Sequence, residues 1–188
     1  MKELLTVSAA LCLGSFGWGM VRHFRREGPV TRAMKSTALL GVTCAALQFV
    51  GLFWHLRGCP AAALPLYGAS FALFWWAVRV SRRKLAACGQ GVTTQEILQT
   101  GPYRFIRHPF YTAYDLAWIG GFVATGGWPL ALAVLVMGSI YEHSAREEEA
   151  GFAAGPLAPE YRDYATRTGK YLPRPRSLAK LVARSTAA

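Results

Sequence analysis

Long apolar runs, separated by basic connectors, constrain this chain of 188 residues more than any other feature. A helix needs about 20 predominantly apolar residues to cross a bilayer. Leu4–Val21 is uncharged, Thr37–His55 is broken only by Gln48 and the closing His55, and Ala61–Val78 is rich in aromatics. Phe110–Tyr141 is too long for one crossing. Gly126-Gly127-Trp128-Pro129 lies in its middle, and Gly with Pro marks a turn. The run therefore reads as a tight hairpin, 110–125 and 128–142. The expected fold is an all-α integral membrane protein with about five transmembrane helices and a C-terminal helical hairpin.

The charges agree with that count. Net charge is +11, which in a soluble chain often means nucleic acid. Here the cations do not gather on one soluble face. Charged residues are only 16%, against about 25% in an average soluble domain. Five Lys/Arg lie at 21–36 (Arg22, Arg25, Arg26, Arg32, Lys35), six at 79–109 (Arg79, Arg82, Arg83, Lys84, Arg104, Arg107) and eight after 142, leaving only Lys2 and Arg57. With five alternating spans, the three basic groups share one side. Cytoplasmic segments carry the excess of Lys and Arg, so the N-terminus is expected outside and the C-terminus in the cytoplasm. A cleaved signal peptide is not expected: the n-region is one Lys followed by Glu3, and Glu27-Gly28-Pro29 lies too far downstream. The chain divides into an N-terminal part with three spans and a loop (1–91), a region holding the hairpin and the chemistry (92–176), and a basic tail (177–188).

Polar residues within spans each raise a question, because they are costly there. Gln48 reads as an interhelical hydrogen bond. Asp115, early in the fourth span, reads equally as a partner for Arg104 or Arg107 and as a site residue. His23 and His55 fall at span ends and read as structural. The cysteines (12, 44, 59 and 88) have no CxxC spacing and read as small packing residues. Gly14, Gly17 and Gly19 read as small residues for helix packing. No HxxxH or CxxC set suggests a metal, and no serine elbow or P-loop is present.

What remains suits positioning chemistry. GPYRFIRHPFY (Gly101–Tyr111) enters the fourth span, and EHSAREEE (Glu142–Glu149) leaves the fifth. An antiparallel hairpin makes these two stretches neighbours. The acidic run is therefore expected to face the basic cluster or a positive ligand, since basic residues are the ones favoured beside an anionic leaflet. Carboxylates suit a cation or ribose hydroxyls, arginine suits an anion, and aromatic rings suit a flat base.

GPYRFIRHPFYTAY, the Gly-Trp turn and REEEAGF…PEYRDYATRTGKYLPR together resemble the isoprenylcysteine carboxyl methyltransferase family, with which the related phospholipid methyltransferases share the pattern. The resemblance covers about residues 92–175. It implies an all-helical methyltransferase that uses S-adenosylmethionine from the cytoplasmic side and a lipid or lipidated acceptor from the bilayer, with no nucleic-acid partner. It implies that Tyr103, His108 and Tyr111 help form the cofactor pocket, with Glu148 and Glu149 as the family's acidic pair. It places Arg107 and Arg167 near the acceptor carboxylate and the transferred methyl. Glu147 makes the pair a triplet, which leaves its register open. A prenylcysteine-type carboxylate, another lipid carboxylate and a phospholipid amine all remain as acceptors. A nicotinamide-dependent membrane reductase is the competing enzyme class; it needs cations for a 2′-phosphate where this chain has a Glu triplet.

Overall fold

The structure is a computed structural model that describes residues 1–24, 32–54, 56–81 and 96–175. Arg25, Arg26, His55, Arg82, Arg83, Lys84, Cys88, the boundary at 91–92 and the tail 177–188 lie outside the described residues. Helix α1 (Lys2–Trp18) runs into a π turn (Gly19–His23). It is followed by α2 (Arg32–Trp54), α3 (Pro60–Ser81), a 3₁₀ turn (Gly101–Arg104), α4 (Pro109–Thr125), α5 (Trp128–Ala154) and α6 (Ala158–Arg167). The described residues hold no strand, only one parallel bridge between Ile106 and Gly169.

Three described helices are long and apolar enough to cross a membrane: Lys2–His23, Met34–Trp54 and Pro60–Ser81. The hairpin forms where expected. Pro109 opens α4, a first-turn position where its missing N–H costs nothing. Gly126, at φ +65°, closes it in the left-handed conformation that favours glycine. Extended Gly127 then leads into Trp128-Pro129 and α5. However, α4 has 17 residues, and the second half of α5 carries Glu142, Arg146 and Glu147–Glu149. The count of five spans and their orientation therefore rest on the charge pattern.

The interior is small, aromatic and locally polar, while Leu39, Val42 and Leu135 face outward. Phe74 of α3 sits among Phe16, Phe110 and Tyr114, with ring centroids 5.2–6.2 Å away. Ser70 donates to the Ala113 carbonyl at 2.7 Å, tying α3 to α4. Gln48 is fully buried and donates to the Tyr67 hydroxyl at 2.9 Å, the interhelical bond expected of it. Its amide oxygen lies over Gly121 of α4, where an added Cβ would stand 2.6 Å away.

The loop between α2 and α3 caps α4. The backbone N–H groups of Arg57, Gly58 and Cys59 donate to the carbonyls of Thr125, Ala124 and Val123 at 3.2, 3.2 and 2.7 Å. These are carbonyls that a helix end leaves without intrahelical partners. The approach requires glycine at 58, since a Cβ there would lie 2.1 Å from the Val123 oxygen.

Smaller expectations divide. His23 is buried and bonds Ser81 at 2.7 Å, a structural role. Cys12 and Cys44 are buried, whereas Cys59 is exposed at the α4 cap. Of the three glycines read as packing residues, only Gly19 meets a neighbour, the Phe74 ring. Gly14 and Gly17 fall on the outward stripe of α1 and face open space.

Candidate active site

The two polar stretches meet, as the hairpin requires. Residues 105–108 lie against 169–170: Arg107 N donates to Gly169 O at 2.8 Å, His108 N to Lys170 O at 3.2 Å, and Gly169 N to Phe105 O at 3.0 Å. This backbone clasp fixes the entry to α4 against the exit from α6. Tyr164 reinforces it by donating its hydroxyl to the Tyr103 carbonyl at 2.7 Å. A second tether crosses from α5, where Glu142 accepts from Lys170 Nζ at 2.8 Å and from the Tyr171 hydroxyl at 2.7 Å.

Inside the clasp five of the expected residues come together. Glu149 accepts from Arg107 Nε at 2.8 Å and contacts His108 Nε2 at 3.0 Å. Glu148 accepts from the Tyr111 hydroxyl at 2.5 Å, and its other oxygen lies 3.6 Å from His108 Nδ1. Both nitrogens of His108 thus face a carboxylate, an arrangement that the doubly protonated imidazolium satisfies. Burial of His108 opposes its protonation, but its contacts with the charged Glu148 and Glu149 outweigh it, and the net shift is upward. Burial likewise pushes Glu149 up, yet hydrogen bonds from His108 and Arg107 prevail and hold it at about 2. The cluster is therefore a set of opposite charges that stabilise one another's ionised forms.

Within the triplet, Glu148 and Glu149 turn inward, while Glu147 is exposed and, among the described residues, pairs with His143, one turn before it. Glu142 lies two turns before Glu149 on the same face. That spacing of seven was a signal for the second tether, which sequence reasoning did not include in the site.

Tyr103, Arg167 and Asp115 lie outside this set of five. Tyr103 is buried, and its hydroxyl has no hydrogen-bond partner among the described residues; burial first, then Tyr164 and Glu148, raises its pKa. Arg107 is held on three sides, since Nη1 also donates to Thr168 O at 2.8 Å and Ala165 O at 3.4 Å, capping the end of α6. Arg167 is exposed on α6 and paired with Asp163 at 2.6 Å. Asp115, considered as an ion-pair partner for Arg104 or Arg107, forms no ion pair among the described residues, because Arg107 is already taken by Glu149. It is half-buried in α4, one turn beyond Tyr111, and faces Gly138 of α5.

Chemically, the cluster offers carboxylate acceptors, an imidazole flanked by two carboxylates, and stacked rings. Tyr111 lies between His108 and Tyr141, at 5.6 and 5.5 Å and nearly parallel to each. No His/Cys/Asp/Glu group among the described residues is arranged to hold a metal ion. No curated protein and no solved structure matches the chain. A model of the phospholipid methyltransferase family matches residues 59–153, from the α4 cap through α3 and the hairpin to the last turn of α5. That match spans half of the sequence and contains Arg107, His108, Tyr111, Glu148 and Glu149, and on it the chain belongs to the phospholipid methyltransferase family.

Proposed function

We propose that the protein is an integral membrane methyltransferase that uses S-adenosylmethionine to methylate the polar end of a membrane lipid. The observation that carries this reading is the constellation of Arg107, His108, Tyr111, Glu148 and Glu149 at the polar end of a hairpin of apolar helices. The basic connectors support a site on the cytoplasmic side, with the N-terminus outside.

The residues fit the cofactor. One oxygen of Glu148 takes the Tyr111 hydroxyl, and the other is beyond hydrogen-bond length from His108. With 29% of its side chain open, Glu148 keeps acceptor capacity for an ammonium or ribose hydroxyls. The rings of His108, Tyr111 and Tyr141 suit a flat base or a sulfonium charge. Bound there, S-adenosylmethionine supplies a methyl group already activated by its positive sulfur. The chain's task is then positioning, with the acceptor atom about 3 Å from the methyl and in line. Glu149 holds Arg107 and His108 in place, and Pro109 fixes where Tyr111 starts its helix.

The test is calorimetric titration of the detergent-solubilised protein with S-adenosylhomocysteine and, separately, with NADPH. Binding of the first alone is expected. Glu148→Ala is expected to weaken it about ten- to a hundred-fold, the effect of one charge-assisted hydrogen bond. Binding of NADPH alone would overturn the reading.

For the acceptor, a prenylcysteine-type carboxylate calls for arginines near the transferred methyl. A specific observation favours a second reading, a lipid amine. Arg107 is held by Glu149 and two carbonyls through Nε and Nη1, and Arg167 is paired with Asp163 at the surface. Asp115 is instead an ionisable group without an ion pair among the described residues, set between α4 and α5 one turn from Tyr111. A carboxylate there suits a cationic head group: it can accept the proton that an ammonium must lose before its nitrogen attacks.

A further inference from the structure

On the far side of the clasp lies a cleft of about 1240 Å³, lined by one wall around Gln99 and Arg104 and another around Thr166, Arg167 and Arg174. None of Arg107, His108, Tyr111, Glu148 or Glu149 lines it. Its walls carry three arginines and, among the described residues, no carboxylate. Among the described residues Arg104 is the least committed of the three, with the Phe105 ring beneath it. Arg174 is already shaped into the wall, donating to Thr168 O at 3.0 Å and Thr166 O at 2.9 Å. Arg167 bonds Asp163, and the same nitrogen also reaches Gln99 across the cleft at 3.5 Å.

The cleft's position says what could enter it. Gly101, in its wall, stands against Val80 and Trp76 near the end of α3, the helix that spans Pro60–Ser81. Trp76 is 43% exposed, with its ring 6.3 Å from Phe105. An exposed tryptophan at the end of an apolar helix marks the head-group level of a bilayer. Arginines gathered at that level meet lipid phosphate, which they recognise through planar, paired donors.

We propose that this cleft binds the phosphate of an anionic phospholipid from the surrounding leaflet, at a site separate from the methyl-transfer cluster. The two sites share one atom group: Thr168 O accepts from Arg174 on the cleft side and from Arg107 on the cluster side. Filling the cleft therefore steadies the clasp that holds Arg107. The proposal does not depend on which lipid is methylated.

The test is native mass spectrometry and equilibrium binding of the full chain in phosphatidylcholine nanodiscs doped with phosphatidylglycerol. Selective retention of phosphatidylglycerol is expected. Arg104→Ala is expected to weaken it about tenfold, the loss of one charged hydrogen bond, and Arg104→Lys to restore part of it. Arg57→Ala, at the α4 cap, is expected to leave it unchanged. Affinity for S-adenosylhomocysteine in Arg104→Ala reports that the protein remains folded. Equal retention of phosphatidylcholine and phosphatidylglycerol, or full binding by Arg104→Ala, would overturn the proposal. Displacement of the lipid by millimolar inorganic phosphate would show a soluble anion site instead.

Discussion

Glu149→Gln removes one charge and almost no volume, so it isolates the electrostatics of the cluster. Burial raises the carboxyl, but contacts with His108 at 3.0 Å and Arg107 at 2.8 Å bring it from an ordinary 4.5 to about 2. At 1.36 kcal/mol per pH unit, that corresponds to roughly 3 kcal/mol of preference for the ionised form. The side chain is 23% exposed, so solvent screens part of this, and about 1.5–2 kcal/mol is the reasonable expectation. For a chain of this size each kcal/mol shifts Tm by about 2–4 °C. Thermal unfolding at pH 7 should therefore show Glu149→Gln melting about 3–8 °C below the parent. The sign of the pH dependence is fixed: a carboxyl lowered by folding stabilises fully above its unfolded value of 4.5 and loses that as pH falls towards 2. The gap between parent and variant should be full at neutral pH and narrow in acid. A Tm within 1 °C of the parent at pH 7 would refute the claim that Glu149 holds the cluster together.

Three further outcomes follow from the same geometry. His108 is raised by folding, so its stabilisation is present below its ordinary 6.5 and fades as pH rises through the raised value; the Tm difference between parent and His108→Gln should shrink from pH 6 to 9, and a constant difference would count against an imidazolium. Gly58→Ala should cost about 1–3 kcal/mol in thermal unfolding, because its Cβ would meet the Val123 oxygen at 2.1 Å, while Gly14→Ala, facing open space, should be neutral or slightly stabilising. Asp115→Asn should lower turnover on a lipid amine by about a hundredfold or more, as for loss of a general base, with S-adenosylhomocysteine affinity unchanged; full turnover would return the choice to a carboxylate acceptor.

Much of this architecture was legible because bilayer solvent simplifies patterns. Length and apolarity alone located α1, α2 and α3, and the Gly-Gly-Trp-Pro turn located the bend of the hairpin, although α5 continues past the expected 142 to Ala154 because its polar second half stays helical. Gln48 was legible for the same reason: a buried amide among apolar helices must find a donor or acceptor. The α4 cap was not, since nothing in Arg57-Gly58-Cys59 announces that its N–H groups will meet carbonyls more than sixty residues later. The outward glycines of α1 misled because small-residue spacing is shared by packing faces and by faces that touch only lipid.

The cluster was legible in which residues meet more than in how they are wired. The family resemblance singled out Arg107, His108, Tyr111, Glu148 and Glu149, and the antiparallel hairpin required their two stretches to meet. The resemblance also placed Arg107 and Arg167 together near the acceptor, and the two flank the hairpin. In the fold, the exit of α6 passes between their roles: Arg107 turns inward to cap that helix, and Arg167 lies on its exposed face. One-dimensional spacing cannot see this, because it depends on which face of a ten-residue helix meets the clasp. The wiring also bears on how a ligand enters. Glu148 and Glu149 are paired with His108, Tyr111 and Arg107, so neither is a bare buried charge, which would be far costlier. A cationic ligand then exchanges one charge-assisted bond at Glu148 for another of similar strength. Glu149, held at about 2 by its hydrogen bonds with His108 and Arg107, stays with its arginine. That asymmetry assigns the two neighbouring carboxylates different work, Glu148 for binding and Glu149 for scaffold. It predicts that Glu148→Gln lowers S-adenosylhomocysteine affinity with little change in Tm, whereas Glu149→Gln lowers Tm first.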